Sequence, residues 1–261
     1  MANLRARASA DASHPPIEIR VVTPITTTSF RDAAALQELS HPGLVLSHSY
    51  IDSGPASIES ALEELLAGPG AARKVADAAA DGVDAAVIDC FGDPGLDAAR
   101  ELVRIPVVGA GQASLHVASM LGFRFSIVTT LQRVFHLNAH EVERYGLSSQ
   151  LASFRAVDEA VLDLDRDKER LVGMLTDQAT AAVREDGAHV IVFGCTGMSD
   201  VAVGVRSGLE SRGISVPVVE PMSSAVRLAE ALVRLGLTHS QITYPAPPPK
   251  KLIGFEFPGR G

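Results

Sequence analysis

The chain carries the same sequence pattern twice. The segment ADGVDAAVIDCFGD, starting at Ala80, aligns with EDGAHVIVFGCTGM, starting at Glu185. Asp81-Gly82 falls on Asp186-Gly187, and Cys90 falls on Cys195, 105 residues later. The frame extends both ways. IRVVTP from Ile19 matches FSIVTT from Phe125, and IPVVGAGQASL from Ile105 matches VPVVEPMSSAV from Val216. A duplicated unit must fold into two similar halves, so whatever one half places at a given point, the other places too. The chain has only two cysteines, and the repeat sets both at the same point, each just after an apolar strand-type run. Two such halves facing each other bring one thiol to each side of a shared cleft. That geometry suits chemistry needing an acid on one face of a carbon and a base on the other.

Apolar runs of strand length alternate with helix-length segments throughout. Strands are expected at Ile17–Pro24, Leu44–Tyr50, Ala85–Cys90, Pro106–Gly109, Phe125–Thr130, Ser153–Val157, Val190–Cys195 and Val216–Val219. Helices fill the intervals, among them Phe30–Leu39, Ala56–Leu66, Ala71–Asp81 and Ser223–Leu235, with Gly68-Pro69-Gly70 read as a break between the second and third. Strands alternating with helices imply parallel sheets joined by right-handed crossovers. The expected fold is therefore α/β, two pseudo-symmetric doubly wound parallel-sheet half-domains with the active site in the cleft between them. In such sheets ligands sit at the carboxyl ends of strands. Thr23, Cys90, Thr129 and Cys195 fall at or near those ends. Asp93-Pro94 reads as a turn capping the helix that follows it. Asp89 need not face the same way as Cys90, because neighbouring strand residues point to opposite faces.

Composition narrows the function classes. Among 261 residues the net charge is −8, with no basic stripe, so nucleic acid is not an expected partner. No apolar run reaches the ~18–20 residues of a membrane span. The start, MANLRARASADASHPP, lacks the apolar core of a secretory signal, and residues 1–16 read as a disordered leader. A cytoplasmic protein with reduced thiols is the expectation, a disulfide between the two cysteines being the structural alternative. His136 and His140 are four apart on a helix but have no third partner in a ligand pattern, so no metal is expected. Gly109-Ala110-Gly111 lacks the G-x-G-x-x-G spacing of a dinucleotide site. Residues 241–261 form a Pro-rich tail containing PAPPP.

A lone cysteine in an apolar strand is most often a small core residue. Two at equivalent repeat positions, each continuing as Cys-x-Gly before a helix, are different. Amides at a helix start can stabilise a thiolate or a developing oxyanion, and a thiol of lowered pKa is a competent base or nucleophile.

The runs IDCFGDPGLDAAREL (Ile88–Leu102) and VIVFGCTGM (Val190–Met198) resemble the two signature segments of the aspartate/glutamate/hydantoin racemase superfamily. GPASIES (Gly54–Ser60) resembles a segment of its hydantoin and allantoin branch. The resemblance runs from about Ile17 to Leu237. It implies cofactor-independent racemisation of a small cyclic carbon acid by Cys90 and Cys195, one removing a proton and the other returning one from the opposite face. It places Thr23, Pro24, Phe91, Gly92, Thr129, Thr130, Thr196 and Gly197 at the substrate, and it implies a homo-oligomer. By itself the repeat suggests halves at 17–122 and 123–237. The resemblance implies a crossover instead: residues 17–110 form the first half, completed by 216–240, and 111–215 form the second.

Departures from the family pattern bear on the substrate. Amino-acid racemases of this superfamily tend to carry Cys-Asn-Thr and Cys-Thr-His. Here Phe91-Gly92 follow Cys90, and Gly197 stands where the histidine would be, which favours a neutral or weakly acidic ring over free aspartate or glutamate. The hydantoin and allantoin branch usually has Asn-Pro-Asn after its first strand, where this chain has Thr23-Pro24-Ile25. Relatives that use cysteine for cis–trans isomerisation of maleate, or one cysteine for decarboxylation, are the rival readings on the same scaffold. A non-catalytic small-molecule sensor is a third.

Overall fold

The computed structural model describes residues 15–31, 33–255 and 257. The leader expected at 1–16 lies outside them apart from Pro15 and Pro16. In chain order the elements are β1 (Ile17–Thr23), α1 (Ala33–Leu39), β2 (Leu44–Tyr50), α2 (Ala61–Ala80), β3 (Ala85–Ile88), α3 (Leu96–Leu102), β4 (Val107–Gly109) and α4 (Ala110–Leu121). The second half follows with β5 (Phe125–Thr129), α5 (Phe135–Arg144), β6 (Leu151–Ala156), α6 (Lys168–Arg184), β7 (Val190–Phe193), α7 (Ala202–Ser211), β8 (Val218–Val219) and α8 (Pro221–Arg234).

The strands form two four-stranded sheets with the same order, β2-β1-β3-β4 and β6-β5-β7-β8. Every pairing within them is parallel. The sequence repeat is thus a structural repeat. The inner strands β3, β5 and β7 are buried at every residue, which is why they read as unbroken apolar runs rather than alternating ones.

Helices cover both faces of each sheet. On the first, α2 and α3 pack Ala71, Val75, Leu96 and Ala99 against Val22, Ala86 and Ile88. The other face is closed by Met222, Ala225, Val226 and Ala229 of α8, together with Ala113 of α4. On the second sheet, α6 and α7 bury Leu171, Leu175, Val205 and Leu209. Its opposite face takes Leu115 and Ala118 of α4, Val142 of α5, and Phe91 from the first half. Helix α4 is therefore shared, wedged between the two sheets.

The return of the chain to the first half comes one element later than the expected boundary at 216. Strand β8 hydrogen-bonds to β7 and stays in the second sheet; only α8 crosses back. The tail then follows the first half. His239 accepts the Val107 N–H at 2.8 Å, Arg100 donates to the Tyr244 hydroxyl at 3.2 Å, and Phe257 packs on the first core.

The expected break at Gly68-Pro69-Gly70 is absent: α2 is one helix of 20 residues with Pro69 inside it. Proline there removes one helical hydrogen bond, but buried Ala67, Ala71, Ala72 and Val75 hold the two turns together. The glycines are there for close approach. A Cβ on Gly70 would lie 2.9 Å from Ile51 Cγ2. Gly95, at φ +76, abuts the same stretch, and a Cβ there would come 2.4 Å from the Gly68 carbonyl oxygen. The start of α2 is capped by Ser60, and the Glu63 carboxylate reaches back to the Glu59 N–H at 2.7 Å.

Asp93 does not cap the helix after it. Its buried carboxylate reaches across to α4, accepting from the Gly111 and Gln112 N–H groups at 3.0 and 2.7 Å, and from the Tyr145 hydroxyl at 2.7 Å. It ties the loop after Cys90 to the shared helix and to the second half.

Gly95→Ala combines a left-handed backbone with a backbone clash. It is expected to cost about 2 kcal/mol or more, read as a lower urea midpoint at unchanged m-value.

Candidate active site

The carboxyl ends of β1, β3, β5 and β7 open onto a cavity with an empty volume of ≈ 630 Å³ including its mouth. The first half contributes Thr23, Pro24, Cys90, Phe91 and Gly92 to its wall, and the second contributes Thr129, Thr130, Cys195 and Thr196. Gly197 is not on the wall. Its N–H points instead at the Cys195 sulfur, 3.4 Å away.

The backbone explains why both thiols arrive there. Each ladder runs one residue past its strand: Asp89 N–H donates to the Val22 carbonyl and Gly194 N–H to the Val128 carbonyl, both at 2.8 Å. The chain then turns sharply. The Cys90 carbonyl accepts from Asp93 N–H and the Cys195 carbonyl from Met198 N–H, each at 3.2 Å. Both cysteines are free thiols at the head of equivalent turns. In each Cys-x-Gly run the glycine amide donates back to the thiol's own sulfur.

The two turns differ at the residue before the cysteine. Gly194 is small because a Cβ would come within 2.6 Å of Thr129 Cβ. Its counterpart is Asp89, fully buried, whose side chain also reaches the cavity wall. Strand alternation has ended at Ile88, so Asp89 and Cys90 both face the cleft. Arg31 clamps Asp89 with Nε at 3.0 Å and a terminal nitrogen at 2.7 Å, and that nitrogen also donates to the Thr196 carbonyl at 3.1 Å. Burial alone would push the Asp89 carboxyl up. The Arg31 guanidinium and the Thr23 hydroxyl overcome this and hold it below the usual carboxylate range.

Three of the threonines expected at the substrate use their hydroxyls on the protein, Thr196 donating to the Asp89 carbonyl at 3.4 Å. Thr23 donates to Asp89 at 2.7 Å while taking a hydrogen bond from His48 Nε2, also at 2.7 Å. Burial lowers the pKa of that imidazole, so it is neutral and carries its proton on Nε2. Thr129 donates to the Gly194 carbonyl at 3.3 Å.

The thiols are not acidified, contrary to the expectation of a lowered pKa. Burial pushes the Cys195 thiol up to about 11, although the Gly197 amide and the Arg31 charge pull the other way. Burial also pushes Cys90 well above its ordinary value, helped by the charge of Glu64 and opposed by the Gly92 amide. Both thiols are protonated at neutral pH, and the Arg31 charge opposes the effect of burial at Cys195.

Sequence reading missed several wall residues. Glu64, from α2, lies against Gly92: a Cβ there would be 2.5 Å from Glu64 Oε2. Burial, reinforced by the neighbouring Glu141 charge and opposed by Arg144, pushes its carboxyl up to about 7. Asn138 comes from α5. Ile25, Phe30, Ile58, Val134, Leu137 and Val161 form an apolar side. Ile25 and Ile58 fall in segments already singled out, Thr23-Pro24-Ile25 and GPASIES, but no motif flagged the others, which come from separate segments that meet only on folding. The wall holds two carboxyl groups and, among the described residues, no cationic side chain. His136 and His140 are exposed and outside the cavity.

A model of the Asp/Glu/hydantoin racemase family matches residues 19–229. The chain belongs to this family. Among curated relatives it is 41% identical over 202 residues to a hydantoin racemase of Pseudomonas sp. (strain NS671), covering 77% of this chain and 79% of the relative. It is 37% identical over 242 residues to a hydantoin racemase of Rhizobium meliloti, covering 91% and 98%. Among solved structures, allantoin racemase from Klebsiella pneumoniae superposes with a TM-score of 0.85 at 36% identity, covering 91% of this chain and 96% of that one. The expected fold is the family's fold, with α4 and α8 linking its two halves.

Arg31→Met leaves Asp89 buried without its cation. The expected loss is about 3–5 kcal/mol at pH 7, measured by denaturant unfolding. In the wild type Asp89 has a depressed pKa, so its stabilising contribution is present above pH ~4 and lost below it. The gap between wild type and variant should narrow as pH falls below about 4. Glu64 has the opposite sign. Its folded-state value of about 7 lies above its ordinary 4.5, so its contribution is lost as pH rises through that window. Glu64→Gln, neutral throughout, should gain in melting temperature over wild type between pH 5 and pH 8, with little difference below pH 4.5.

Proposed function

We propose that this racemase acts on a neutral cyclic ureide, a hydantoin substituted at C5, with Cys90 and Cys195 transferring the proton. One sulfur, as thiolate, takes the C5 proton. The resulting enolate is reprotonated on its other face by the second thiol. The product is the mirror-image ring, and the proton inventory is unchanged apart from the exchange of roles between the sulfurs. The reaction needs no redox step and no cofactor.

The observation that carries this reading is the charge of the cavity wall. Two thiols stand on matched turns beside Glu64 and Asp89, with no lysine or arginine among the described residues facing the space. A dicarboxylate such as maleate, an arylmalonate, or free aspartate or glutamate would meet a wall that, among the described residues, offers no free cation, and would be repelled by an ionised Glu64. Arg31 is already committed to Asp89. A neutral ring meets no such repulsion. A hydantoin also acidifies its own C–H by delocalising the carbanion into the ring carbonyl, so thiols of high pKa suffice. The Arg31 charge favours the thiolate of Cys195. The apolar side built by Ile25, Phe30, Ile58, Val134, Leu137 and Val161 fits an apolar C5 substituent better than the ureido group of allantoin.

The same reading includes a homo-oligomer acting in a reducing compartment. Its support is family membership, the two free thiols, and an exposed apolar stripe on α2 at Leu62, Leu65 and Leu66.

The test is single enantiomers of 5-benzyl- and 5-isobutylhydantoin and of allantoin in heavy water, with no added metal or cofactor. Enzyme-dependent loss of rotation with one deuterium entering at C5 is expected, fastest for the two apolar compounds. Cys90→Ser and Cys195→Ser should each reduce racemisation by about 10³-fold or more, the range of a lost general acid or base. Racemisation that survived either change would remove the two-thiol mechanism. Turnover of maleate in place of the hydantoins would move the chain to the isomerase reading.

A further inference from the structure

One buried polar group on the cavity wall has no partner. Asn138 is 5% exposed, and its side-chain oxygen is buried without a hydrogen bond. It sits on the second turn of α5, with Val134 and Leu137 of the apolar side next to it. A buried amide oxygen left unpaired costs free energy, and such groups are rare in native proteins without a reason. The same wall carries the Glu64 carboxyl. What the Asn138 oxygen lacks is donors.

A cyclic ureide supplies them. Its edge alternates N–H and C=O, the complement of a primary carboxamide. An asparagine side chain can accept from a ring N–H and donate to the adjacent carbonyl at once. The match holds whichever way the amide is turned, because the ring offers both partners. The branch of the family with Asn-Pro-Asn after its first strand has carboxamides at that place, whereas this chain has Thr23-Pro24-Ile25. Here the Thr23 hydroxyl is committed to Asp89 and His48, and Ile25 offers no polar atom. The cavity keeps one carboxamide, and it comes from the opposite half.

We propose that Asn138 reads the N–H edge of the ring and so sets the specificity of this site for ureides. The proposal rests on the hydantoin reading above. Binding from α5 would anchor the ring to the second half and leave C5 toward the two cysteine turns, with the substituent on the apolar side.

The test compares wild type with Asn138→Leu, branched at the same carbon and without polar atoms. Binding of unsubstituted hydantoin, 1-methylhydantoin and 3-methylhydantoin is measured by calorimetry, and racemisation is measured on 5-benzylhydantoin and its two N-methyl derivatives. Wild type is expected to prefer the parent over at least one methylated ring by tenfold or more. In Asn138→Leu the parent should weaken about 10–100-fold, while that methylated ring changes less than threefold, so the preference collapses. The melting temperature should hold or rise, because an unsatisfied buried oxygen has been removed. A merely structural role would instead lower stability and weaken all ligands alike. Either that result, or a preference undiminished in the variant, overturns the proposal. Hydantoin binding that depends on Asn138 in an enzyme that racemises no hydantoin would uphold this inference and defeat the function proposed above. No binding of any of the rings to wild type would defeat both.

Discussion

The Arg31 guanidinium lies between the two halves with a bidentate hold on the Asp89 carboxylate and a further hydrogen bond to the Thr196 carbonyl. Asp89 immediately precedes Cys90, and Thr196 immediately follows Cys195. This desolvated cation is therefore bonded to both thiol turns. Its side chain is 6% exposed and that of Asp89 is at 0%. Removing two charges from water is costly, and a buried pair of this kind is weak grounds for net stability. Its consequence is positional. Neither charge can leave without stranding the other, so the two cysteine turns are held in one relative arrangement. The same cation biases the thiols, easing ionisation of Cys195 and leaving Cys90 beside Glu64.

Duplication accounts for the rest of the site. Two parallel sheets of identical strand order place equivalent turns at the ends of β3 and β7, and each turn carries a thiol with an amide from its own loop. The repeat is broken just where the halves must do different things. Asp89 stands where the second half has Gly194, Phe91 where it has Thr196, and the half-buried Glu64 falls on Glu169, which is exposed at the start of α6. Because enantiomers have equal free energy, a racemase must have the same kcat/KM in both directions. An asymmetric wall is compatible with this, since it divides a fixed ratio differently between binding and turnover.

The Cys90 side also carries a chain of buried acids. Asp93 anchors α4 and Tyr145, and burial pushes its carboxyl up to about 7 against the hydrogen bonds it accepts. Glu141 is raised by burial as well and faces Glu64 across the gap between halves. These groups join the first cysteine loop to α4 and α5 in the second half. Together with Arg31, they make the interface between halves polar and specific around the cleft, while Leu115, Ala118 and Phe91 supply its apolar packing.

Much of this was legible in the chain. Apolar runs of strand length, fully buried in a two-faced sheet, announce themselves by composition alone, and the repeat located both thiols at strand ends. Local signals misled where a residue serves a distant contact. Gly68-Pro69-Gly70 has the composition of a helix break, but its glycines accommodate Gly95 and Ile51. Asp93-Pro94 has the composition of a local cap, but its carboxylate serves α4 and Tyr145. Arg31, Glu64 and Asn138 carried no signal, because a side chain's partner 58 or 165 residues away follows from packing and not from spacing. Likewise, the expected acidic thiols followed from local amides, whereas burial by the whole fold outweighs those amides. The sequence alone determined the element order, the parallel sheets and the two matched cysteines, because these depend on periodicity and repetition along the chain. Only the tertiary structure decided the charge of the cavity, the protonation of its thiols and the identity of its polar wall, because desolvation and pairing depend on which distant segments are brought together.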